Sequence, residues 1–258
     1  MKISVLTICP ELFDSYLKDR LVLRAQEKGL LEIEIVDIKD FAGGSFRHID
    51  DSTFGGGVGM IMRAAPILKA LEYVKSGKMK QQPAGSGTGD DAPRAAAAAN
   101  GAVTAGGDAD SDAGGTFTAV LSPSGYPYTQ KMARELTQKE HLILVCGRFE
   151  GIDARVMKHA DTEISVGDYI LSGGEIPAML VADSIIRLLP GVLRQASTQT
   201  ESFESGILEY PQYTQPADLD GDCVPEVLLS GNHEAIRQWR ESEALRLTRE
   251  RRPDLLNN

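Results

Sequence analysis

The sequence predicts an α/β protein built around a parallel sheet, and three observations support that prediction. Short β-rich apolar runs recur along the chain, helical patterns lie between them, and glycine-bearing loops follow several of the runs. Strands that alternate with helices are typical of βαβ units, in which a helix connects two parallel strands. The chain has 258 residues, 42% of them hydrophobic and 25% charged, which is enough for one large core.

Four apolar runs are predicted to be strands, because β-branched and large aliphatic residues dominate them. They are Ile3–Ile8, Leu31–Ile38, Phe117–Ser122 and Leu142–Gly147.

Three segments carry the spacing of amphipathic helices. The first helix is predicted between Pro10, which suits a helix start, and Gly29, which suits a helix end. The second covers Thr129–Glu140, and the third covers Ile176–Leu189, where Pro190 prevents continuation.

The segment 78–115 interrupts this pattern. It is rich in glycine, alanine and aspartate and has almost no large apolar residue, so it cannot offset the entropy lost on ordering. Its run of alanines, Ala95–Ala99, is too short to hold an isolated helix in water. We therefore expect a flexible surface insertion in the large domain.

The sequence predicts neither a membrane-spanning protein nor an exported one. The longest apolar stretch, Ala178–Leu189, contains Asp183 and Arg187 and is too short to span a bilayer. The apolar start of the chain is cut by Pro10 and has no cleavage site after it. The three cysteines lack C-x-x-C spacing, which favours a reducing cytoplasm without disulfides.

No metal site is predicted. The four histidines show no zinc-binding spacing. Asp218–Asp222 looks like the start of a calcium loop, but Leu229 stands where a bidentate glutamate would be required, so this segment is predicted to be a turn.

The charge distribution has two opposing features. A net charge of −10 argues against a nucleic-acid binder, because phosphates are neutralised by lysine and arginine. The segment Arg237–Arg252, however, holds six arginines against three glutamates, together with Trp239. This segment is locally basic.

Three glycine-bearing segments are predicted to meet in one crevice. Leu121–Gly125 and Cys146–Gly151 follow predicted strands, and Val166–Glu175 mixes glycines with acidic residues. Ligands of open α/β sheets bind beyond the carboxyl ends of strands. None of these loops has the Gly-Lys-Ser/Thr ending of a polyphosphate loop. A fourth segment, Phe54–Met60, has four glycines that would let its backbone approach a flat or bulky ligand.

Seven ordered motifs together resemble the bacterial tRNA (guanine-N1)-methyltransferases of the SPOUT superfamily. They are CPELF, DDSTFGGGVGM, LSPSG, LILVCGRFEGID, SVGDYILSGGE, PGVL and LSGNHEAIRQWR, and they cover nearly the whole chain apart from the insertion. The resemblance implies a SPOUT-type parallel sheet with a deep C-terminal trefoil knot, which is an exception to the rule against knotted chains. It also implies transfer of a methyl group from S-adenosylmethionine to N1 of the tRNA guanosine at position 37, immediately 3′ of the anticodon.

The same resemblance implies a domain organisation. Residues 1–195 would bind S-adenosylmethionine, residues 196–225 would form a linker that carries Glu201, and residues 226–258 would form a small helical tRNA-binding domain. Asn232 would cap a helix of that domain. The family is a homodimer with an active site shared between subunits, and it needs Mg²⁺, for which the sequence shows no dedicated site.

Carried over residue by residue, the donor site of the family falls on three loops. Its residues here are Leu121, Ser122, Pro123, Gly147, Phe149, Glu150, Gly151, Val166, Gly167, Asp168, Tyr169, Ile170, Leu171 and Gly173. The resemblance assigns the guanosine site to Asp51, Gly55, Gly56, Gly57, Gly59, Met60 and Ser197. Val58 replaces a proline that is usual in the family, and Phe149 and Val166 replace a more frequent tyrosine and isoleucine.

Methylation of guanine N1 requires one base and one cation. N1 carries a proton at neutral pH and becomes a good nucleophile when that proton leaves, while a cation near O6 stabilises the resulting charge. The resemblance assigns the cation to Arg187 and the base to Glu201, where the family has aspartate.

Two other functions stay open at this point. A dinucleotide-dependent dehydrogenase would need G-x-G-x-x-G after the first strand, where the sequence reads TICPELF. A catalytically weakened RNA-binding SPOUT relative, disabled by Glu201, is the stronger alternative. In that case Arg187 and Glu201 would form only a surface ion pair.

Overall fold

The computed structural model describes residues 1–43, 47–77, 115–193 and 201–256. The strands are β1 (Lys2–Thr7), β2 (Glu32–Asp37), β3 (Asp50–Ser52), β4 (Met60–Met62), β5 (Thr116–Pro127), β6 (His141–Cys146), β7 (Thr162–Ser165), β8 (Asp218–Leu219) and β9 (Asp222–Cys223).

The described α-helices are α1 (Arg20–Glu27), α2 (Ala64–Lys75), α3 (Gln130–Leu136), α4 (Glu175–Ile186), α5 (Glu226–Leu229) and α6 (His233–Arg251). Short 3-10 helices cover Pro10–Phe13, Tyr16–Lys18, Ile38–Phe41, Ala154–His159 and Pro253–Leu256.

Five strands form the central sheet in the order β2-β1-β6-β5-β7. All of their pairings are parallel, and Ile3, for example, lies between Ile33 of β2 and Leu142 of β6. The predicted α/β class with a parallel sheet is therefore confirmed. The remaining strands form two small antiparallel hairpins, β3-β4 and β8-β9.

Both faces of the sheet are covered, which explains why its central strands β1, β6 and β5 carry long buried runs. On one face, Val22 of α1 and Ile185 of α4 pack in a buried cluster with Leu144 of β6. On the other face, Ile67 of α2 packs in a second cluster with Val145 of β6. The bulge of β5, the loops after β6 and β7 and the start of α4 lie at the carboxyl ends of the strands.

The prediction of one uninterrupted helix between Pro10 and Gly29 is wrong. Two short 3-10 helices precede α1, and α1 begins only after Asp19, whose backbone is extended (φ −60°, ψ 141°). The Asp19 side chain accepts a hydrogen bond from the backbone N–H of Leu21 at 2.7 Å. This cap starts a new helix at a point where apolar spacing alone predicts continuation.

The other two predicted helices exist with shifted ends. The one predicted over Thr129–Glu140 begins after Thr129, whose hydroxyl accepts from the backbone N–H of Met132 at 3.2 Å, and it ends at Leu136. The one predicted over Ile176–Leu189 begins one residue earlier, at Glu175, and ends at Ile186.

Strand β5 runs past the predicted end at Ser122. Leu121 and Tyr126 both pair with Ile164 of β7, so the four residues between them bulge out of the ladder. Gly125 passes so close to β7 that a Cβ atom there would lie 2.5 Å from the backbone nitrogen of Ile164. No side chain fits at this crossing.

The C-terminal region contains two predicted local features. Asn232 caps α6, because its side chain accepts from the backbone N–H of Ala235 at 3.2 Å. Asp218–Asp222 forms the β8-β9 turn, in which Asp218 Oδ1 accepts from the backbone N–H of Gly221 at 2.8 Å. Both predictions are confirmed, whereas the insertion, apart from Gly115, lies outside the described residues.

No helix in the four described ranges has the length and apolar character needed to cross a membrane.

The three cysteines differ in burial, which predicts the order in which they react. Cys146 at the end of β6 is completely buried, and burial raises the pKa of its thiol well above the ordinary value. Cys223 is exposed and Cys9 is half-buried, with a pKa that burial also raises. Because thiolates are the reactive form, a thiol titration of native protein should show fast modification of Cys223, slow modification of Cys9 and none of Cys146.

Denaturant should release the Cys146 thiol, and the Cys223→Ser variant should lose only the fast phase. Rapid modification of Cys146 in the native protein would contradict its position in the core.

Candidate functional site

A cavity of 560 Å³ opens at the carboxyl end of the sheet, where the bulge of β5 and the loops after β6 and β7 converge. Its lining includes Leu121, Ser122, Pro123, Gly147, Phe149, Glu150, Gly151, Val166, Gly167, Tyr169, Ile170, Leu171 and Gly173. The predicted convergence of three glycine-bearing segments in one crevice is confirmed. Asp168 is the one residue of the predicted donor set that does not line the cavity, and it is exposed.

Two of these loops touch backbone to backbone. The N–H of Gly174 donates to the carbonyl of Gly147 at 2.8 Å. A Cβ atom at Gly174 would lie 2.7 Å from Cα of Cys146 and 2.9 Å from the nitrogen of Gly147. The third loop therefore closes tightly over the end of β6, and glycine is required at this crossing.

A buried carboxylate fastens the same crossing. Glu175, at the start of α4, is 1% exposed. Its Oε1 accepts from the Thr7 hydroxyl at the end of β1 at 2.7 Å, and its Oε2 accepts from Arg148 Nε after β6 at 3.0 Å. The hydrogen bond to Glu175 raises the pKa of Arg148, so that the guanidinium stays charged. One carboxylate thus joins three segments that are far apart in sequence.

The sequence pattern assigns no role to Arg148 or Glu175, although both lie beside predicted site residues. The available signal is an acidic residue directly after two glycines and at the start of an apolar helix. Such a carboxylate interacts favourably with the helix N-terminus, but burial also requires a partner charge. Only the fold shows that the partner is Arg148.

The glycine-rich hairpin is bonded to the loop that follows β6. The backbone N–H of Glu150 donates to the Met60 carbonyl at 3.0 Å, and Met62 N–H donates to the Gly151 carbonyl at 2.8 Å. Asp153 N–H donates to the Met62 carbonyl at 2.9 Å. Strand β4 is therefore hydrogen-bonded to the loop that forms the cavity wall. These bonds fix the orientation of the hairpin relative to that wall.

The hairpin tip projects two large apolar side chains into solvent. Phe54 and Val58 are 101% and 96% exposed. Exposed apolar side chains on a glycine-rich tip are suited to contact with another molecule. Six residues of the predicted guanosine site lie on this hairpin, namely Asp51, Gly55, Gly56, Gly57, Gly59 and Met60. The seventh, Ser197, lies outside the described residues.

Arg187 and Glu201 form a bidentate ion pair. Arg187 Nη1 donates to Glu201 Oε2 and Nη2 donates to Oε1, both at 2.8 Å. The hydrogen bonds to Glu201 raise the pKa of Arg187. The two side chains are 34% and 26% exposed, and neither lines the cavity of its own chain. The predicted base and cation therefore lie together, but apart from the predicted donor site of the same subunit.

Helix α6 is less basic than its arginine count predicts. Arg237 pairs with Glu234 and Glu241, and Arg246 pairs with Glu243 and Glu250. Three arginines form no ion pair with any described residue. They are Arg240, Arg249 and Arg251.

No group of three or more histidine, cysteine, aspartate or glutamate side chains in the described part of the chain is arranged to hold a metal ion.

A family model and two similar proteins give the same description. The chain matches the family model of tRNA (Guanine-1)-methyltransferase TrmD over residues 1–97 and 98–258. It is 43% identical over 259 residues to the tRNA (guanine-N(1)-)-methyltransferase of Geobacillus kaustophilus, covering 100% of this chain and 92% of that protein. The protein of the same name from Dictyoglomus turgidum is 44% identical over 257 residues, covering 99% of this chain and 90% of the relative.

The buried ion pair predicts a large difference between two conservative substitutions. Glu175→Gln can keep the hydrogen bond with Thr7 but leaves Arg148 without its carboxylate. We expect it to lower the free energy of unfolding by about 3 kcal/mol, the lower end for a broken buried pair, because Arg148 retains some solvent contact. Urea-induced unfolding measures this loss.

The matched control is Glu201→Gln, which breaks a half-exposed pair and should cost less than about 1 kcal/mol. Equal losses in the two variants would mean that Glu175 does not fasten the crossing.

Proposed function

This chain belongs to the tRNA (guanine-N1)-methyltransferase family, and we propose that it transfers a methyl group from S-adenosylmethionine to N1 of a guanosine in tRNA. The observation that carries the proposal is the 560 Å³ cavity, whose lining includes all but one of the donor-site residues that the family resemblance assigns. The family match over both halves of the chain supplies the substrate class. The finer proposal is that the target is guanosine 37, immediately 3′ of the anticodon.

The chemistry of the cavity suits S-adenosylmethionine. Its volume lies within the range typical of small-molecule sites. Val166, Ile170 and Leu171 offer apolar surface to an adenine, and the loop backbones offer hydrogen-bonding groups for its edge. Glu150 and Glu163 also line the cavity and would attract the positive charges of the sulfonium and amino groups. When bound, the donor supplies a methyl group that is already activated.

We also propose that the three loops form the trefoil knot of the family. Support comes from the two tight crossings at Gly125 and Gly174, where backbone contacts backbone. The domain division proposed from the sequence, with residues 1–195, 196–225 and 226–258 as donor-binding domain, linker and tRNA-binding domain, remains part of this proposal.

Arg187 and Glu201 match the edge of guanine in chemical type. Guanine presents a donor, N1–H, beside an acceptor, O6, while the ion pair presents a carboxylate beside a guanidinium. We propose that the pair opens when guanine enters. Glu201 then accepts the N1 proton and Arg187 stabilises the charge that develops on O6. A bond forms from N1 to the methyl carbon as the carbon–sulfur bond breaks, which leaves a neutral thioether.

The proposed active site requires two subunits. Because neither Arg187 nor Glu201 lines the cavity of its own chain, we propose a homodimer in which they face the cavity of the partner. The hairpin that carries Asp51 and the glycines is bonded to the wall of the cavity and would hold the guanosine beside the donor. The proposed location is the cytoplasm, and a requirement for Mg²⁺ stays a prediction from the family.

The weakened RNA-binding relative is a poorer account of the site. Glu201 keeps the carboxylate of the family's aspartate with one additional methylene, and it lies in hydrogen-bond contact with Arg187. The relatives that match across the whole chain carry the methyltransferase name.

Calorimetric titration tests the proposed donor site. The wild type should bind S-adenosylmethionine and should not bind a nicotinamide dinucleotide. A Cβ atom at Gly147 would keep ordinary contacts of 3.5 Å with Ile152 and Leu121, so Gly147→Val should fold while filling the cavity. Its Kd for S-adenosylmethionine should rise about 10-fold or more, because overfilling a site costs about 1–3 kcal/mol.

Gly43→Val is the control, because a Cβ atom at Gly43 would meet nothing within 4 Å and Gly43 does not line the cavity. An unchanged affinity of Gly147→Val for S-adenosylmethionine would show that the donor does not bind in this cavity.

Substitution of Glu201 tests the base and the shared site. Glu201→Gln should keep donor and tRNA binding while turnover falls about 100-fold or more, because the amide cannot accept the N1 proton. Glu201→Asp should retain substantial turnover. The readout is methyl transfer to tRNA at saturating substrates.

Mixing Glu201→Gln with Gly147→Val homodimers sharpens this test when the S-adenosylmethionine concentration is kept well below the Kd of Gly147→Val, so that neither parent is appreciably active. After subunit exchange, a mixed dimer contains one site with both defects and one with neither, so activity should partly return. No recovery after verified exchange would show that the site is not shared as proposed.

A further inference from the structure

A second cavity of 610 Å³ lies in the C-terminal part of the chain, between residues 210–217 and helices α5 and α6. It shares no lining residue with the first cavity. Tyr210, Tyr213 and Trp239 contribute aromatic rings to its wall, and Arg240 is its one charged residue. The methyl-transfer mechanism uses none of these four side chains.

The aromatic rings are arranged at an open surface. The Tyr213 and Trp239 rings have centroids 6.3 Å apart and are tilted by 54°, so neither ring covers the face of the other. Tyr213 is 50% exposed, and Leu229 in the same wall is 61% exposed. Side chains that close a hydrophobic core are buried, so this exposure indicates a surface available to a ligand.

The charge and polarity of the lining select the ligand class. Arg240 lies over the Tyr210 ring, with its guanidinium carbon 4.8 Å from the centroid. The lining contains no aspartate or glutamate, although the chain carries a net charge of −10. Thr214 and Gln215 add hydrogen-bonding groups. Aromatic faces, an amide and a cation, in a lining that contains no acidic residue, are the groups that bind a nucleobase and its phosphate.

The ion pairing of the arginines in α6 favours the same class of ligand. Arg237 and Arg246 are each held between two glutamates, whereas Arg240 forms no ion pair with any described residue. Its charge is available to a phosphate at the mouth of the aromatic cavity. An apolar peptide would use the rings but would leave this charge without a partner.

We propose that the second cavity binds one unstacked nucleotide of the tRNA substrate, other than the methylated guanosine. Its base stacks on Trp239 and contacts the neighbouring Tyr213 ring, and Arg240 pairs with its phosphate. This inference rests on the proposed function, because it takes tRNA as the substrate. Since every base has an aromatic face, such a site anchors RNA with little dependence on base identity.

Trp239 provides a direct test, because it is the only tryptophan in the chain. The full-length wild type is titrated with an anticodon stem-loop RNA while tryptophan fluorescence is recorded. Stacking of a base on the indole should quench the fluorescence in a saturable way. A series of stem-loops, each with one abasic position, should contain one RNA that still binds but no longer quenches.

Two outcomes would overturn the inference. One is RNA binding, measured by anisotropy of a labelled stem-loop, without quenching. The other is quenching that survives every abasic substitution, since a movement of α6 would then explain the signal.

Matched variants separate stacking from folding. Tyr213→Leu removes one ring, whereas Tyr213→Phe keeps it. Tyr213→Leu should raise the KM for tRNA about 10-fold, which corresponds to about 1.4 kcal/mol, while leaving the Kd for S-adenosylmethionine and the kcat at saturating tRNA unchanged. Tyr213→Phe should behave as wild type. Equal KM values in the two variants would overturn the inference, and the abasic series still tests it if Tyr213→Leu fails to fold.

Failure of this inference and failure of the proposed function are distinguishable. If the wild type methylates tRNA at guanine N1 but shows no quenching, the nucleotide site alone is wrong. If the wild type does not methylate tRNA at all, the proposed function is wrong and this inference falls with it.

Discussion

The ion pair between Glu175 and Arg148 is the interaction on which the geometry of the first cavity depends. A carboxylate removed from water is stable only with full hydrogen bonding and a compensating charge. Glu175 obtains both, but from two different segments, Thr7 at the end of β1 and Arg148 after β6. Because α4 starts at this carboxylate, the helix, the sheet and the loop cannot move independently. The cavity has rigid walls although loops form most of its lining.

Rigid walls also set the position of the glycine-rich hairpin. Backbone hydrogen bonds connect Met60 and Met62 of β4 to the loop at Glu150 and Gly151. A group held by the hairpin and a group held in the cavity are therefore positioned by two backbone segments that are hydrogen-bonded to each other. Preorganisation of this kind lowers the cost of bringing two reactants together, because little freedom is left to lose on binding. The ion pair of Arg187 and Glu201 does not line the cavity and is not part of this hydrogen-bonded arrangement.

The features predicted correctly from the sequence are those with local causes. Apolar runs predict the strands of the central sheet, and glycine-bearing segments predict the converging loops, because both signals lie in neighbouring residues. The break before α1 at Asp19 was missed because a cap competes with apolar spacing there. The bulge in β5 and the partner of Glu175 depend on contacts between residues far apart in sequence. The paired arginines of α6 follow local i,i+3 and i,i+4 spacing and could have been predicted.

Under the proposed function, the pairing of arginines within α6 has a consequence for how tRNA binding responds to ionic strength. Arginines that already sit between glutamates displace few ions from a nucleic acid, since their charge is largely compensated before contact. The three arginines that form no ion pair with a described residue would set the electrostatic contribution of this helix, which corresponds to the release of only about three counterions. Contacts that do not depend on counterions, such as stacking on exposed rings, then carry a larger share of the affinity. Under the proposed function, tRNA binding through this helix should therefore weaken only modestly as the salt concentration rises.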